Sequence, residues 1–225
     1  GVAAAPLITG FILSEYDWRL AFFIPGLISI LFGLSFIKYV RSGRIQAPES
    51  SSYEKSMVGF VSGWKRALLA LGLVTAAGGF VFGSMIFLIP RMFEVSMPDV
   101  SVDFAVTGAL AALVYSVAAW SQLFVGRIID KYRVKPVLLI IAAGQPILIG
   151  IMSMQSNYGL LIASLLALSF VFGQIPITDA VLSRYVPDVW HAKVLSIKFM
   201  LNLMIGALAL IVARGILQAG GGFDT

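Results

Sequence analysis

The 225-residue chain is 59% hydrophobic and only 12% charged. It cannot cover a water-facing surface, because soluble domains carry about 25% charged residues. Its net charge of +5 does not indicate nucleic-acid binding, since the cations fall mainly between apolar runs. With no cysteine, the sequence excludes disulfides, thiolate metal ligands and a cysteine nucleophile. We therefore expect an all-α polytopic membrane protein.

Long apolar runs recur along the chain, and about 20 apolar residues suffice to cross roughly 30 Å of hydrocarbon. The sequence predicts a partial span over 1–13 and full spans over 20–40, 66–90, 104–125, 136–155, 158–182 and 193–217. Residues 41–63 are rich in Ser, Gly and charge and are predicted to form a linker, and 91–103 a short acidic loop.

The cations are unequally divided between the two sides of these spans. Three lie on one side, at Arg19, Arg91 and Arg214. Twelve lie on the other: Lys38, Arg41, Arg44, Lys55, Lys65, Arg66, Arg127, Lys131, Arg133, Lys135, Arg184 and Lys193. Since cytoplasmic loops carry the excess of Lys and Arg, the linker 41–63 and the segment 126–136 are predicted to face the cytoplasm.

Three early elements carry patterns of small or polar residues. Residues 1–10 (GVAAAPLITG) are small and contain a proline, a composition that suits close helix packing. In the span 66–90, Thr75 is a candidate solute contact, and Gly79-x-x-x-Gly83 indicates small-residue packing. In the span 104–125, Tyr115 is a second candidate solute contact.

The segment 126–136 (GRIIDKYRVKP) combines a glycine, one acid and several cations between two spans. We predict a short basic loop in which Gly126, Asp130 and Lys131 form a gating latch between helices. Asp130 would accept hydrogen bonds from helix N-terminal amides or pair with an arginine across the bundle. The alternative is that the cations only set the topology.

The span 158–182 contains Phe170, Gln174 and Thr178 at a spacing of four residues, which places them near one face of a helix. Pro176 frees a backbone carbonyl there, and such a kink is tolerated where protein or a water-filled cavity lines it. These three residues are candidate solute contacts, or else hydrogen-bond partners of a neighbouring helix. Gln145-Pro146, in the span 136–155, is interpreted as a packing kink.

Asp179 and Lys198 are the ionisable residues predicted to lie within spans near the cytoplasmic face, and they could meet as a neutralising pair. Intramembrane charges are costly and point to function. Asp179 would exchange a proton or cation and Lys198 would respond. The alternative is a stabilising latch with Lys198 reaching toward the interface. Asn202 lies one turn after Lys198 and is a further candidate solute contact.

Several of these segments resemble signatures of the major facilitator superfamily. The segment Gly126-x-x-x-Asp130-Lys131-x-x-x-Lys135 is similar to the loop between its eighth and ninth helices, although Arg133 replaces a glycine. Asp17-Trp18-Arg19-x-x-Phe22 resembles the start of the sixth helix, and Arg184-Tyr185-x-Pro187 with His191-Ala192-Lys193 the loop joining the tenth and eleventh. Residues 1–10 are similar to a signature of its proton-coupled antiporters, with Ala5 and Thr9 replacing glycines.

The resemblance implies a C-terminal six-helix bundle lacking its last helix, preceded by the end of an N-terminal bundle. Residues 1–40 would close the N-terminal bundle, 41–63 would be the cytoplasmic linker and 64–225 the incomplete C-terminal bundle. It implies secondary active transport of a small solute by alternating access, coupled to protons and running as efflux in the antiporter case. We expect a monomer in a plasma membrane, with compact loops favouring a bacterial inner membrane.

Two other classes are weighed against transport. A sensor or scaffold could keep the same fold but would not need a polar cavity, and a lipid enzyme would need a cluster of carboxylates or histidines. The chain has no Walker-type phosphate loop and no His-Glu-x-x-His motif. We therefore expect no enzyme, cofactor, metal site or nucleic-acid partner, and the lipid bilayer, a solute and protons as partners.

Overall fold

The structure is a computed structural model that describes residues 3–43, 63–97, 100 and 103–218. These residues form seven α-helices and no strand. The helices are α1 (Ala4–Glu15), α2 (Leu20–Arg41), α3 (Trp64–Ser96), α4 (Phe104–Lys131), α5 (Val134–Ser153), α6 (Asn157–Tyr185) and α7 (Asp188–Gln218). All but α1 are long and apolar enough to span a membrane. The predicted all-α class is confirmed, while almost all of the linker 41–63 lies outside the described residues.

Most helices extend beyond the predicted spans, and the two loops predicted over 91–103 and 126–136 are shorter than predicted. Helix α4 continues through Gly126 to Lys131, so only Tyr132 and Arg133 connect it to α5. Helix α3 includes Arg91 and Glu94, which form an i,i+3 ion pair at 2.9 Å instead of lying in a loop. Hydropathy marks only the stretch that sits in hydrocarbon. A helix keeps its backbone hydrogen bonds by continuing past that stretch with polar residues.

Helix α6 occupies the centre of the bundle and contacts α3, α4, α5 and α7. It is apolar around most of its circumference, as expected for a helix surrounded by others. Helix α7 packs mainly along α3, and α1 packs on α4. Within the described chain, α2 contacts only α1, and its side chains are almost all exposed.

Two pairs of helices approach closely through glycine. Gly10 of α1 lies against Gly108 of α4, where a Cβ on Gly10 would stand 3.0 Å from the Gly108 Cα atom and 2.5 Å from the Phe104 carbonyl oxygen. In the same way Gly83 of α3 lies against Gly206 of α7. Small residues allow such backbone contact in membranes, where no hydrophobic force draws helices together. The predicted packing role of Gly79 and Gly83 in α3 is confirmed.

Candidate functional site

A cavity of about 280 Å³ lies between α3, α6 and α7. Its lining residues are Thr75, Gly78, Phe82, Val171, Gln174, Ile175, Thr178, Lys198, Phe199, Asn202 and Leu203. Five side chains with polar groups thus meet at one cavity: Thr75, Gln174, Thr178, Lys198 and Asn202. This combination of an apolar wall and a few convergent polar groups is typical of small-molecule sites.

The amide of Gln174 is fixed by two neighbouring helices. Its Nε2 donates to the Val74 carbonyl of α3 at 3.1 Å, and its Oε1 accepts from Gln145 Nε2 of α5 at 2.6 Å. Gly78 makes this geometry possible, because a Cβ there would lie 2.8 Å from Gln174 Nε2. The side chain is therefore held in one orientation at the edge of the cavity.

Lys198 and Asp179 form the predicted ion pair. Lys198 Nζ donates to Asp179 Oδ1 and, at 2.8 Å, to Thr178 Oγ1. The Lys198 side chain is only 12% exposed, whereas that of Asp179 is 45% exposed. Lys198 therefore points inward to α6 and does not extend toward the interface. It lines the cavity, and Asp179 does not.

Thr75 lines the same cavity and has a buried hydroxyl. The residue is 5% exposed, and its Oγ1 atom has no hydrogen-bond partner among the residues that the structure describes. A buried hydroxyl without a partner costs about 1–3 kcal/mol.

The structure brings together four of the six predicted solute contacts: Thr75, Gln174, Thr178 and Asn202. It does not bring Phe170 to the cavity, because the Phe170 ring packs toward α5 beside Gly144. Positions four apart on a helix differ by about 40°. The side chains from Phe170 to Thr178 therefore do not share one direction. Phe170 faces α5, and Thr178 faces the cavity.

Tyr115 is also absent from the cavity. It is 2% exposed and lies in the core formed by α3, α4 and α6. Its hydroxyl donates to the Ile86 carbonyl at 2.8 Å. That carbonyl lies four residues before Pro90, which has no N–H to donate to it. Tyr115 thus satisfies a carbonyl that a proline has freed.

The predicted gating residues lie apart from the cavity, in the last turns of α4. Asp130 and Lys131 are exposed, and Gly126 has open space where a Cβ would stand. Asp130 makes no ion pair with any residue in the described ranges. His191, predicted to lie in a loop, is in the first turn of α7.

Sequence reasoning missed Gln145 as a partner of the site and interpreted it only as part of a kink. The available signal was an amide within an apolar span, directly before Pro146. Such a group must find a partner in the bundle. Its partner, Gln174, lies in a different helix, 29 residues away in sequence. The spacing of residues along one helix therefore does not indicate this contact.

The described residues contain no group of three or more His, Cys, Asp or Glu side chains that could hold a metal. Comparison with known families gives a match to the model described as Major Facilitator Superfamily over residues 1–209. No curated protein and no solved structure matches the chain.

Proposed function

This chain belongs to the major facilitator superfamily, and we propose that it acts in proton-coupled secondary active transport of a small solute by alternating access. Members of the family carry small solutes across membranes, and six helices of this chain are suited to span one. It is accordingly an integral membrane protein of a transporter family. The proposal concerns the solute, the coupling ion and the residues that bind them.

The observation that carries the proposal is the polar cavity between α3, α6 and α7. Thr75, Gln174, Thr178 and Asn202 supply hydrogen-bonding groups, and the Phe82, Phe199 and Leu203 side chains supply apolar contact area. A scaffold or sensor could fill such a space with apolar side chains. A transport site needs hydrogen-bonding groups that converge on its solute, which favours transport.

Proton coupling is assigned to Asp179. Its carboxylate pairs with Lys198 but remains 45% exposed, so it has both a counterion and access for a proton. Protonation of Asp179 would release Lys198, which lines the cavity. The same pair could instead act as a latch that stabilises one state, and the test below separates the two roles.

Under this proposal the protein has two bundles. Residues 1–40 belong to the N-terminal bundle and 64–225 to the C-terminal one, with the linker 41–63 and the α4–α5 connection on the cytoplasmic side. The close contact of Gly10 with Gly108 would then join the bundles. The uneven distribution of cations supports this orientation, and the short connections favour a bacterial inner membrane. We propose a monomer.

Efflux in exchange for protons is a second candidate. It is supported by the small-residue signature in residues 1–10 and by the backbone contact of Gly10 with Gly108, which would limit leakage between the bundles. In exchange the proton moves opposite to the solute, and in co-transport it moves with the solute; a lumenal pH dye records which of the two occurs.

The complete gene product, reconstituted in proteoliposomes, tests the proposal by flux of a panel of anionic, neutral and cationic solutes. We expect solute movement driven by a pH gradient, with loss of flux in Gln174→Ala and Asn202→Ala. Gln122→Ala, which removes a polar side chain of α4 away from the cavity, is the matched control. Absence of flux for every solute would favour the sensor or scaffold.

The variant Asp179→Asn distinguishes a role of Asp179 in proton coupling from a role of the Asp179–Lys198 pair as a stabilising latch. Coupling predicts that the variant retains solute exchange but loses its response to a pH gradient. A latch predicts that the pH response survives while the balance between the two accessible states changes.

A further inference from the structure

We propose that the solute is a small organic anion, whose carboxylate or related group binds Lys198 in place of Asp179 while Asp179 takes up a proton. This inference rests on the proposed transport function and names the substrate class for its cavity.

The cavity wall carries a positive charge and no negative one. Lys198 is the cation among the lining residues, and no described lining residue is acidic. Asp179, its counterion, contacts Lys198 from outside the lining. A solute in the cavity therefore meets an ammonium group and hydrogen-bonding side chains, but no carboxylate. This arrangement favours anions and disfavours cations.

Lys198 retains the capacity to bind such a group. An ammonium has three N–H donors, and the described partners of Lys198 are Thr178 Oγ1 and Asp179 Oδ1. One donor is left for the cavity even before Asp179 is displaced. The side-chain amide of Asn202 provides a further hydrogen-bonding group on the α7 wall.

The remaining wall indicates the shape of the anion. Phe82, Phe199 and Leu203 line the cavity beside Val171 and Ile175. An apolar body would cover these side chains while the charged end lies at Lys198. We therefore expect a compact organic anion with an apolar portion, and not a free inorganic ion.

The balance of charge links anion binding to a proton. With Lys198 and Asp179 paired, the site is neutral. An added anion would leave one uncompensated negative charge within the membrane, which is costly. If Asp179 binds one proton from the aqueous side, the anion and Lys198 form a neutral pair and the protonated carboxyl is also neutral. The anion and the proton thus move together, which is co-transport and not exchange.

Lys198 is the charged group that contacts Asp179. Arg133 and Lys135 of the α5 end and Arg184 of α6 line a separate hollow, together with Thr178. The other charged side chains near this end of α3, α4 and α7 are exposed and form no ion pair with Asp179: Lys65, Arg66, Arg127, Asp130, Lys131 and Lys193. The proton site is therefore controlled mainly by Lys198.

Binding is tested with the purified complete gene product and matched pairs of monocarboxylates and their primary amides, read as shifts in thermal stability. We expect carboxylates to stabilise the protein and the amides not to do so. Lys198→Met should weaken carboxylate binding by about tenfold or more, as for one charge-assisted hydrogen bond. Lys193→Met, which removes an exposed cation of the same helix outside the cavity, should have no effect.

Co-transport is tested in proteoliposomes with a clamped membrane potential and a pH dye in the lumen, after subtraction of the signal from protein-free vesicles. An inward gradient of the stabilising carboxylate should acidify the lumen. Asp179→Asn should still take up the anion but without acidification. If Lys198→Met does not fold, the comparison of anion uptake and lumenal pH between the unchanged protein and Asp179→Asn still tests the inference.

Equal stabilisation by amides, no stabilisation by any carboxylate, or alkalinisation during anion uptake would each overturn the inference. Flux of a neutral or cationic solute alone would leave the transport function standing and reject the anion. Absence of flux for all solutes would reject the transport function itself.

Discussion

At the scale of single residues, Pro90 leaves a backbone carbonyl that a side chain of another helix satisfies. Pro90 leaves the Ile86 carbonyl without its helical donor, and Tyr115 of α4 supplies one. A buried carbonyl needs a hydrogen-bond donor. The hydroxyl of Tyr115 replaces the backbone N–H that the proline lacks. Tyr115 therefore belongs to the packing of α3 against α4, and its polar tip serves the backbone.

We predict that Tyr115→Phe lowers the free energy of unfolding by about 1–3 kcal/mol, because the Ile86 carbonyl loses its donor. In a Pro90→Ala background the same substitution should cost much less, since the backbone N–H gained at that position would donate to the Ile86 carbonyl. Denaturation of the detergent-solubilised protein measures this double-mutant cycle. Equal losses in both backgrounds would contradict the assigned role of Tyr115.

Gln145 acts on the cavity through Gln174. We expect Gln145→Leu to lower stability by about 1–3 kcal/mol, because it leaves the buried Gln174 Oε1 unpaired. It should also raise the KM for the solute, since the Gln174 amide can then rotate. Gln155→Leu is the control, because Gln155 is an exposed amide beyond the end of α5. Transport kinetics with unchanged KM in Gln145→Leu would limit this residue to a structural role.

At the scale of elements, glycine decides which helices touch. Gly79 and Gly83 of α3 face α7, where a Cβ would meet Asn202 and Gly206 respectively. The contact keeps α7 close enough for Lys198 to reach α6. Helix α6 connects the parts of the site, because it contacts α3 and α7, which line the cavity with it, and α5, which carries Gln145.

Gly83→Ala should destabilise the protein by about 1–3 kcal/mol, the usual cost of overpacking. Its Cβ would lie 2.7 Å from the Gly206 Cα atom, so α3 and α7 must separate. Gly72→Ala, in the same helix but with nothing within 4 Å, should be neutral or stabilising by up to about 1 kcal/mol through helix propensity. Thermal unfolding of the two variants side by side provides the measurement, and equal midpoints would contradict the close contact.

At the scale of the whole molecule, the acid at the end of α4 points to a second arrangement. Asp130 lies next to the last residue of that helix, where the helix dipole disfavours negative charge. No residue of the described chain pairs with it here. A latch that forms only when the bundles close on the cytoplasmic side would account for an acid at this position.

Asp130→Asn should shift the protein toward the state open to the cytoplasm, with solute binding retained. These 225 residues contain no cysteine, so a Leu203→Cys probe on the cavity wall is the one thiol among them. An impermeant maleimide added from the cytoplasmic side should label it faster in the Asp130→Asn variant. Asp103→Asn, the same charge change at the opposite end of α4, serves as control. Unchanged labelling would argue that this segment only sets the topology.

The sequence by itself determined the class of the protein, the number of long helices and the unequal distribution of cations along them. These properties are local, because span length and hydropathy depend on consecutive residues. It also placed Asp179 and Lys198 at matching depths, since both lie near the short connection between α6 and α7. Their pairing could therefore be anticipated and is confirmed.

Only the tertiary structure decided which polar residues share the cavity. The helical spacing of Phe170, Gln174 and Thr178 was correct, but it could not show that the first faces α5 and the other two the cavity. Nor could it join Gln145 to Gln174, because that contact depends on how α5 rotates against α6. The rotation and contact of helices arise from side chains distant in sequence, and hydropathy along one chain carries no record of them.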